Sequence, residues 1–116
     1  MIGIDIIENH RIEESLKKAN FISRILTKEE QERISDFSNK TERVAGIFCV
    51  KEAIKKATGQ PEKIGFLQMK ILHNENGKPF VEFNQQVQEL VKNKSFNISI
   101  SHSKTVTVAV AIAFEK

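Results

Sequence analysis

Residues 41–59 read T-E-R-V-A-G-I-F-C-V-K-E-A-I-K-K-A-T-G, and the fold turns on whether they form one helix. Val44, Ala45, Phe48, Ala53 and Ala57 recur at helical spacing, and Ile47, Val50 and Ile54 widen the apolar stripe. Thr41 is placed to cap the start and Gly59 to stop the end. The spacing therefore predicts a half-buried helix from Thr41 to about Thr58. Its second half carries one carboxylate, Glu52, closely surrounded by Lys51, Lys55 and Lys56. Glu52 and Lys56 stand four apart in the favourable order, and an exposed pair of that kind contributes only ~0.3–0.5 kcal/mol. A solvated surface pair and a site holding a cation with a polyphosphate both remain open from this motif alone.

Upstream, I-G-I-D-I-I-E at 2–8 reads as a strand, with Ile2, Ile4 and Ile6 on one face and Gly3, Asp5 and Ile7 on the other. Residues 11–20 are predicted helical through Ile12, Leu16 and Ala19, and a short helix follows at 21–25. T-K-E-E at 27–30 has the form of a capping box, with Thr27 as N-cap and Glu30 at its third position. Downstream, 67–73 and 80–83 read as strands joined through a turn at Asn76-Gly77. Asn84 is placed to cap a helix through Val91, and the last third reads as two strands that break near Ser103-Lys104. In the final strand Val106, Val108, Val110, Ile112 and Phe114 alternate with Thr107, Ala109, Ala111 and Ala113, which suits cover on both faces, by a helix or by another subunit. The sum is an α+β domain over 1–116, with a mainly antiparallel sheet packed against one long helix plus short helices.

Composition narrows the function classes. A formal charge of +3 favours anionic partners without choosing among them, and the Lys and Arg residues are dispersed rather than run together. Trp and Tyr are absent, which weakens a nucleic-acid reading based on base stacking. The one cysteine, Cys49, forms no internal disulfide and suits a packed thiol in a reducing compartment. The opening M-I-G-I-D has no basic n-region, and no apolar run approaches the ~18 residues of a membrane span. The expected location is the cytoplasm, with neither a membrane nor a nucleic-acid partner.

Asp5 is the odd residue of its strand, because a carboxylate among isoleucines needs a partner or a cation. Two carboxylates on separate elements, Asp5 and Glu52, suit Mg²⁺, which takes one or two carboxylates together with water and phosphate oxygens. Neighbouring lysines would screen the remaining phosphate charge. A satisfied structural carboxylate is the plainer reading of Asp5. I-S-I-S-H-S at 98–103 clusters hydroxyls with His102 at a strand end, where an anion contact and simple packing are both open. No zinc pattern, phosphate-binding glycine loop or G-x-S-x-G turn is present.

G-I-D-I-I-E, R-I-L-T-K-E-E, A-G-I-F-C-V-K-E-A-I-K-K-A-T-G, N-G-K-P and I-S-I-S-H-S occur in one order along nearly the whole chain. In that combination the chain resembles the holo-acyl-carrier-protein synthases, the small bacterial class of 4'-phosphopantetheinyl transferase. The resemblance implies transfer of phosphopantetheine from coenzyme A to a serine of an apo acyl carrier protein, with release of adenosine 3',5'-bisphosphate. It implies Asp5 and Glu52 as Mg²⁺ ligands, with Asp5, Glu52 and Lys56 as the catalytic set. Lys56 and Gly59 match positions beside the coenzyme phosphates, and Lys51, which opens that run, is assigned to the coenzyme with them. His102 matches the family's histidine near the coenzyme. Arg11 matches a basic position that meets the acidic recognition helix of the carrier. The family's assembly is a homotrimer with sites between neighbouring subunits. Glu52 and a metal-activated water both stand as candidate bases.

Three positions depart from the family pattern. Ile47-Phe48 stands where Arg-Phe is usual, which removes a cation expected at the coenzyme. T-G-Q-P-E-K-I-G replaces a glycine-rich stretch, and S-H-S replaces S-H-T. A small basic module for RNA or another polyanion is the competing reading, and a family member that has lost activity is a third.

Overall fold

The computed structural model describes residues 1–116. The chain is α+β, in the order β1 (Ile2–Glu8), α1 (Asn9–Leu16), α2 (Phe21–Ile25), α3 (Lys28–Ile34), α4 (Lys40–Ala57), β2 (Met69–His73), β3 (Pro79–Phe83), α5 (Gln88–Val91), β4 (Lys94–His102) and β5 (Val106–Glu115). All strand pairings are antiparallel. They divide into a three-stranded sheet, β1-β5-β4, and a separate hairpin, β2-β3, where the sequence suggests one sheet. Side-chain packing replaces ladder bonds between the two sheets, with the Phe83 and Phe96 rings 5.2 Å apart.

The long helix α4 lies on one face of the three-stranded sheet, and small side chains permit the close approach. Thr107, Ala109, Ala111 and Ala113 of β5 are all buried on this face, as are Ala53 and Ala57 of the helix. Gly3 of β1 faces Ala111 in register. A β-carbon added at Gly3 would overlap the Ala53 carbonyl oxygen and stand 2.7 Å from the Ala57 nitrogen. Backbone thus meets backbone, and only glycine fits. The opposite face of the sheet is bare: Ile2, Ile4 and Ile6 are 65%, 61% and 67% exposed, beside half-exposed Ile112 and Phe114.

Two apolar clusters meet at α4. Cys49, Val50, Ala53, Ile54 and Ala57 pack with Met69, Ile71, Ile98 and the β5 alanines. Val44 and Ala45 pack with Ile12, Ile25, Leu26 and Ile34 from the short helices. No helix is long and apolar enough to cross a membrane.

Several local signals act as their chemistry dictates. Thr27 Oγ1 accepts from the Glu30 backbone at 3.2 Å while Glu30 Oε1 accepts from the Thr27 backbone at 2.8 Å, a complete capping box. Asn84 accepts from the Gln86 backbone, and Gly77 takes the left-handed conformation the hairpin turn requires, with φ +81°. Three expectations change. α1 starts at Asn9 rather than residue 11, because the Asn9 backbone donates to Thr105 at 2.8 Å and its side chain to Lys104 at 3.2 Å. It closes at Leu16, and Asn20 then turns left-handed at φ +70°. α4 starts one residue before Thr41, with Asn39 in the N-cap position and no side-chain cap bond. β2 starts at Met69, after a 3₁₀ turn over Phe66–Gln68.

Candidate functional site

The contact between Gly3 and Ala53 sets β1 on α4, and it places two carboxylates at one rim. Asp5 follows Gly3 by two residues on the same strand face, and Glu52 precedes Ala53 by one. Both line a cavity of about 510 Å³ bounded by β1, α1, α2 and α4. Their side chains are 16% and 27% exposed, which leaves oxygen atoms open to a ligand. His10, Arg11 and Glu14 of α1 and Lys18 just beyond it line the same cavity, a wall of mixed charge.

Lys56 turns to Asp5, not to Glu52 as the i,i+4 spacing suggests. Its Nζ donates to the Ile4 carbonyl at 2.9 Å and to Asp5 Oδ1 at 3.2 Å. An ammonium has three donors, so one remains free, and the side chain is half exposed. Glu52 has Lys55 as its nearest cation, at 3.9 Å, while Lys55 also lies over the Phe66 ring at 4.6 Å. Beneath the rim, Cys49 donates to the Thr107 carbonyl at 3.5 Å. Burial pushes the Cys49 thiol up to about 12; the negative charges of Asp5 and Glu52 add to this and Lys56 opposes it.

No group of three or more His, Cys, Asp and Glu side chains forms an all-protein metal cage anywhere in the chain. Two hard, partly open carboxylates fit an ion that completes its shell with water and phosphate oxygens, which is the habit of Mg²⁺. The donor set at Asp5 and Glu52 fits that ion and does not suit zinc.

Lys51 stands elsewhere, and its assignment to the coenzyme is corrected. It is fully buried, with Nζ donating to Glu30 Oε1 at 2.6 Å and to the Ile25 carbonyl at 2.7 Å. Glu30 Oε2 in turn accepts from the Ile71 backbone at 2.7 Å. Burial holds the Lys51 pKa below the usual lysine value, against the pull of the Glu30 carboxylate. This buried network ties α3, α4 and β2 together, and none of its donors is exposed to a ligand.

Gly59 ends α4 in the left-handed conformation, φ +77°, and a β-carbon there would meet the Met1 side chain at 2.8 Å. His102 is exposed at the end of β4 and lines a different cavity, of about 710 Å³. The two cavities share no lining residue, so within one chain His102 is separate from Asp5 and Glu52. The larger cavity also takes Arg43, Ile47, His73 and Lys78. Sequence reasoning passed over Arg43 and Lys78. The signal for Arg43 was available, since it lies one helical turn before Ile47 and shares its face.

Residues 1–112 match the 4'-phosphopantetheinyl transferase superfamily. The chain is 42% identical over 106 residues to a holo-(acyl-carrier-protein) synthase of Fusobacterium nucleatum, with 87% of each chain covered. It superposes with a TM-score of 0.85 and 36% identity on the Bacillus anthracis holo-(acyl-carrier-protein) synthase in complex with CoA (3',5'-ADP), covering 99% of this chain and 96% of that one. The Helicobacter pylori holo-(acyl-carrier-protein) synthase in complex with coenzyme A gives a TM-score of 0.85 at 32% identity, covering 98% and 100%.

Proposed function

The chain belongs to the 4'-phosphopantetheinyl transferase superfamily, and from that premise we propose that it moves phosphopantetheine from coenzyme A to a serine of an apo acyl carrier protein. The observation that carries this reading is the meeting of Asp5, Glu52 and Lys56 at one rim, with Arg11 on the facing wall. The serine oxygen forms a bond to the phosphorus next to the pantetheine. The bond from that phosphorus to the bridging oxygen breaks, and adenosine 3',5'-bisphosphate leaves with the electron pair.

Each residue has a task its surroundings support. Asp5 and Glu52 would hold Mg²⁺, which when bound supplies charge neutralisation at the diphosphate. Lys56, oriented by the Ile4 carbonyl and Asp5, has one N–H left to donate to a phosphate oxygen as charge moves to the leaving group. Glu52 is tied only loosely, by a 3.9 Å pair, so the oxygen it does not give to the ion is one candidate for the serine proton, and a water is the other. Gly59 lets the chain turn tightly beside Lys56, and its nitrogen bonds the Lys56 carbonyl at 3.1 Å. Arg11 on the exposed side of α1 suits an acidic carrier surface, acting chiefly on encounter rate.

The assembly in this reading is a homotrimer. Its support is the bare row of Ile2, Ile4 and Ile6 beside Ile112 and Phe114, an apolar surface rare on a free monomer. Further support is the separation of His102 from Asp5, since a coenzyme spanning both needs cavities from neighbouring copies. The buried free thiol suits a reducing cytoplasm. Residues 1–112 act as one catalytic unit in this account.

Incubation with coenzyme A, Mg²⁺ and apo carrier protein, followed by weighing the carrier, is the test. A gain of one phosphopantetheine is expected. An unchanged carrier mass under conditions where a known transferase labels it fully overturns the proposal.

A further inference from the structure

Lys55 and Lys56 are neighbours on α4, and each attends a different acid. Lys56 Nζ donates to Asp5 Oδ1 at 3.2 Å. Lys55 Nζ stands 3.9 Å from Glu52 Oε1, too far for a hydrogen bond. It therefore offsets the charge of Glu52 without occupying a lone pair that a metal ion would use. It also comes from outside: neither Lys55 nor Phe66, over which it lies, lines the cavity that Asp5 and Glu52 share.

A platform holds this ammonium in place. Its Nζ is 4.6 Å from the centroid of the Phe66 ring, whose π face attracts a cation. That ring stacks on Phe48, with centroids 5.6 Å apart and planes 22° apart, and Phe48 lines the cavity beside Glu52. The Lys55 side chain is only 20% exposed, so water screens its charge less than that of half-exposed Lys56.

The two acids and the two lysines balance. A divalent ion arriving alone leaves the rim with an excess of positive charge, and Arg11 and Lys18 outnumber Glu14 on the α1 wall. A diphosphate diester carries two ionised oxygens, which remove that excess. A fixed positive charge nearby therefore opposes the ion alone and favours the diphosphate alone, and the two effects offset when both are bound.

We infer that Lys55 is a positioning residue acting through Glu52, one that biases loading so that the diphosphate enters before the divalent ion or together with it. The inference rests on the reading in which Asp5 and Glu52 hold Mg²⁺. It gives Lys55 no contact with the coenzyme or the metal.

The test is equilibrium binding by the unaltered chain, Lys55→Met and Lys55→Arg. Methionine keeps the length and helix propensity of lysine, so the fold is retained. Mn²⁺, which shares the oxygen-ligand habit of Mg²⁺, is titrated alone at low ionic strength and followed by loss of the free-ion electron paramagnetic resonance signal. Coenzyme A is titrated in the presence of EDTA by calorimetry. Lys55→Met should tighten Mn²⁺ binding about threefold to thirtyfold and weaken metal-free coenzyme binding by a similar factor. Lys55→Arg, which keeps the charge, should match the unaltered chain in both. A damaged fold would weaken both ligands, so the opposed signs are the diagnostic result. Any other pattern in Lys55→Met, or the same tightening in Lys55→Arg, overturns the inference. Asp5→Asn checks the reading beneath it and should cost most of the Mn²⁺ affinity. If Asp5→Asn binds Mn²⁺ as well as the unaltered chain, the metal assignment fails and the inference falls with it. If Asp5→Asn weakens the ion while Lys55→Met leaves it unchanged, the inference alone falls.

Discussion

Two lysines of α4 each reach a carboxylate far away along the chain, and the two pairs differ in what is left over. At Lys51 and Glu30 both partners are buried, and their bonds run only to each other and to Ile25, Thr27 and Ile71. At Lys56 and Asp5 the ammonium is half exposed, one N–H is free, and the carboxylate borders an open cavity. The closed pair is a joint between three elements. The open pair has bonding capacity in reserve, which is what a ligand requires. Each ammonium donates two bonds. A charged pair is therefore informative about function through the bonding capacity that a ligand can reach, and here burial decides that.

Breaking the closed pair should have the largest effect. Glu30→Ala strands the Lys51 ammonium in the core and uncaps α3, so urea denaturation should show a loss of about 3–5 kcal/mol. A double replacement, Glu30→Gln with Lys51→Met, should recover much of that stability, since removing both charges leaves none unpaired. If Glu30→Ala melts like the unaltered chain, the distinction between the pairs collapses. On the open side the consequence should be chemical. Asp5→Ala and Glu52→Ala should keep the native circular dichroism yet lower carrier labelling by about a hundredfold to a thousandfold, the range seen when charge-stabilising groups are removed. Chelation of Mg²⁺ from the unaltered chain should give a loss of the same order, read by the same mass shift.

Lys56→Met sharpens the contrast further. Its half-exposed ion pair contributes at most about 1 kcal/mol, so melting should barely move. Labelling should nevertheless fall about tenfold or more, because one charge-assisted bond to phosphate is lost. The smallest effect concerns Cys49. Its folded pKa of about 12 lies above the ordinary 9.0, so the unfolded chain releases the thiol proton first. The associated stability is intact below pH 9 and declines as pH rises toward 12. At pH 8 a thiol reagent should leave the native chain unmodified and react only after denaturant is added. Rapid native labelling would mean that the rim opens.

Much of the fold was legible because local chemistry and periodicity agreed. The capping box at Thr27, the turn at Gly77 and the strand at 2–8 each carry a private signal that needs no distant partner. The separation into two sheets was not legible, since whether neighbouring strands share a ladder depends on packing around Phe83 and Phe96. At the site, the pairing of Asp5 with Glu52 followed from charge in an apolar strand together with the family resemblance. Lys51 was misplaced for a definite reason. Successive helical residues point about 100° apart, so the lysine next to Glu52 faces a different neighbour. Nothing in its identity reveals that Glu30 waits there.

The absence of a side chain at Gly3 has a mechanical corollary. Where main chains touch directly, no rotamer can flip and no methyl group can be trimmed to alter the gap. The span from Asp5 to Glu52 is thereby insulated from repacking elsewhere in the interior. Warming that loosens the hairpin would leave the spacing of the two carboxylates unaltered until β1 itself parts from α4. A ladder of melting or exchange measurements along the chain would register that order of failure.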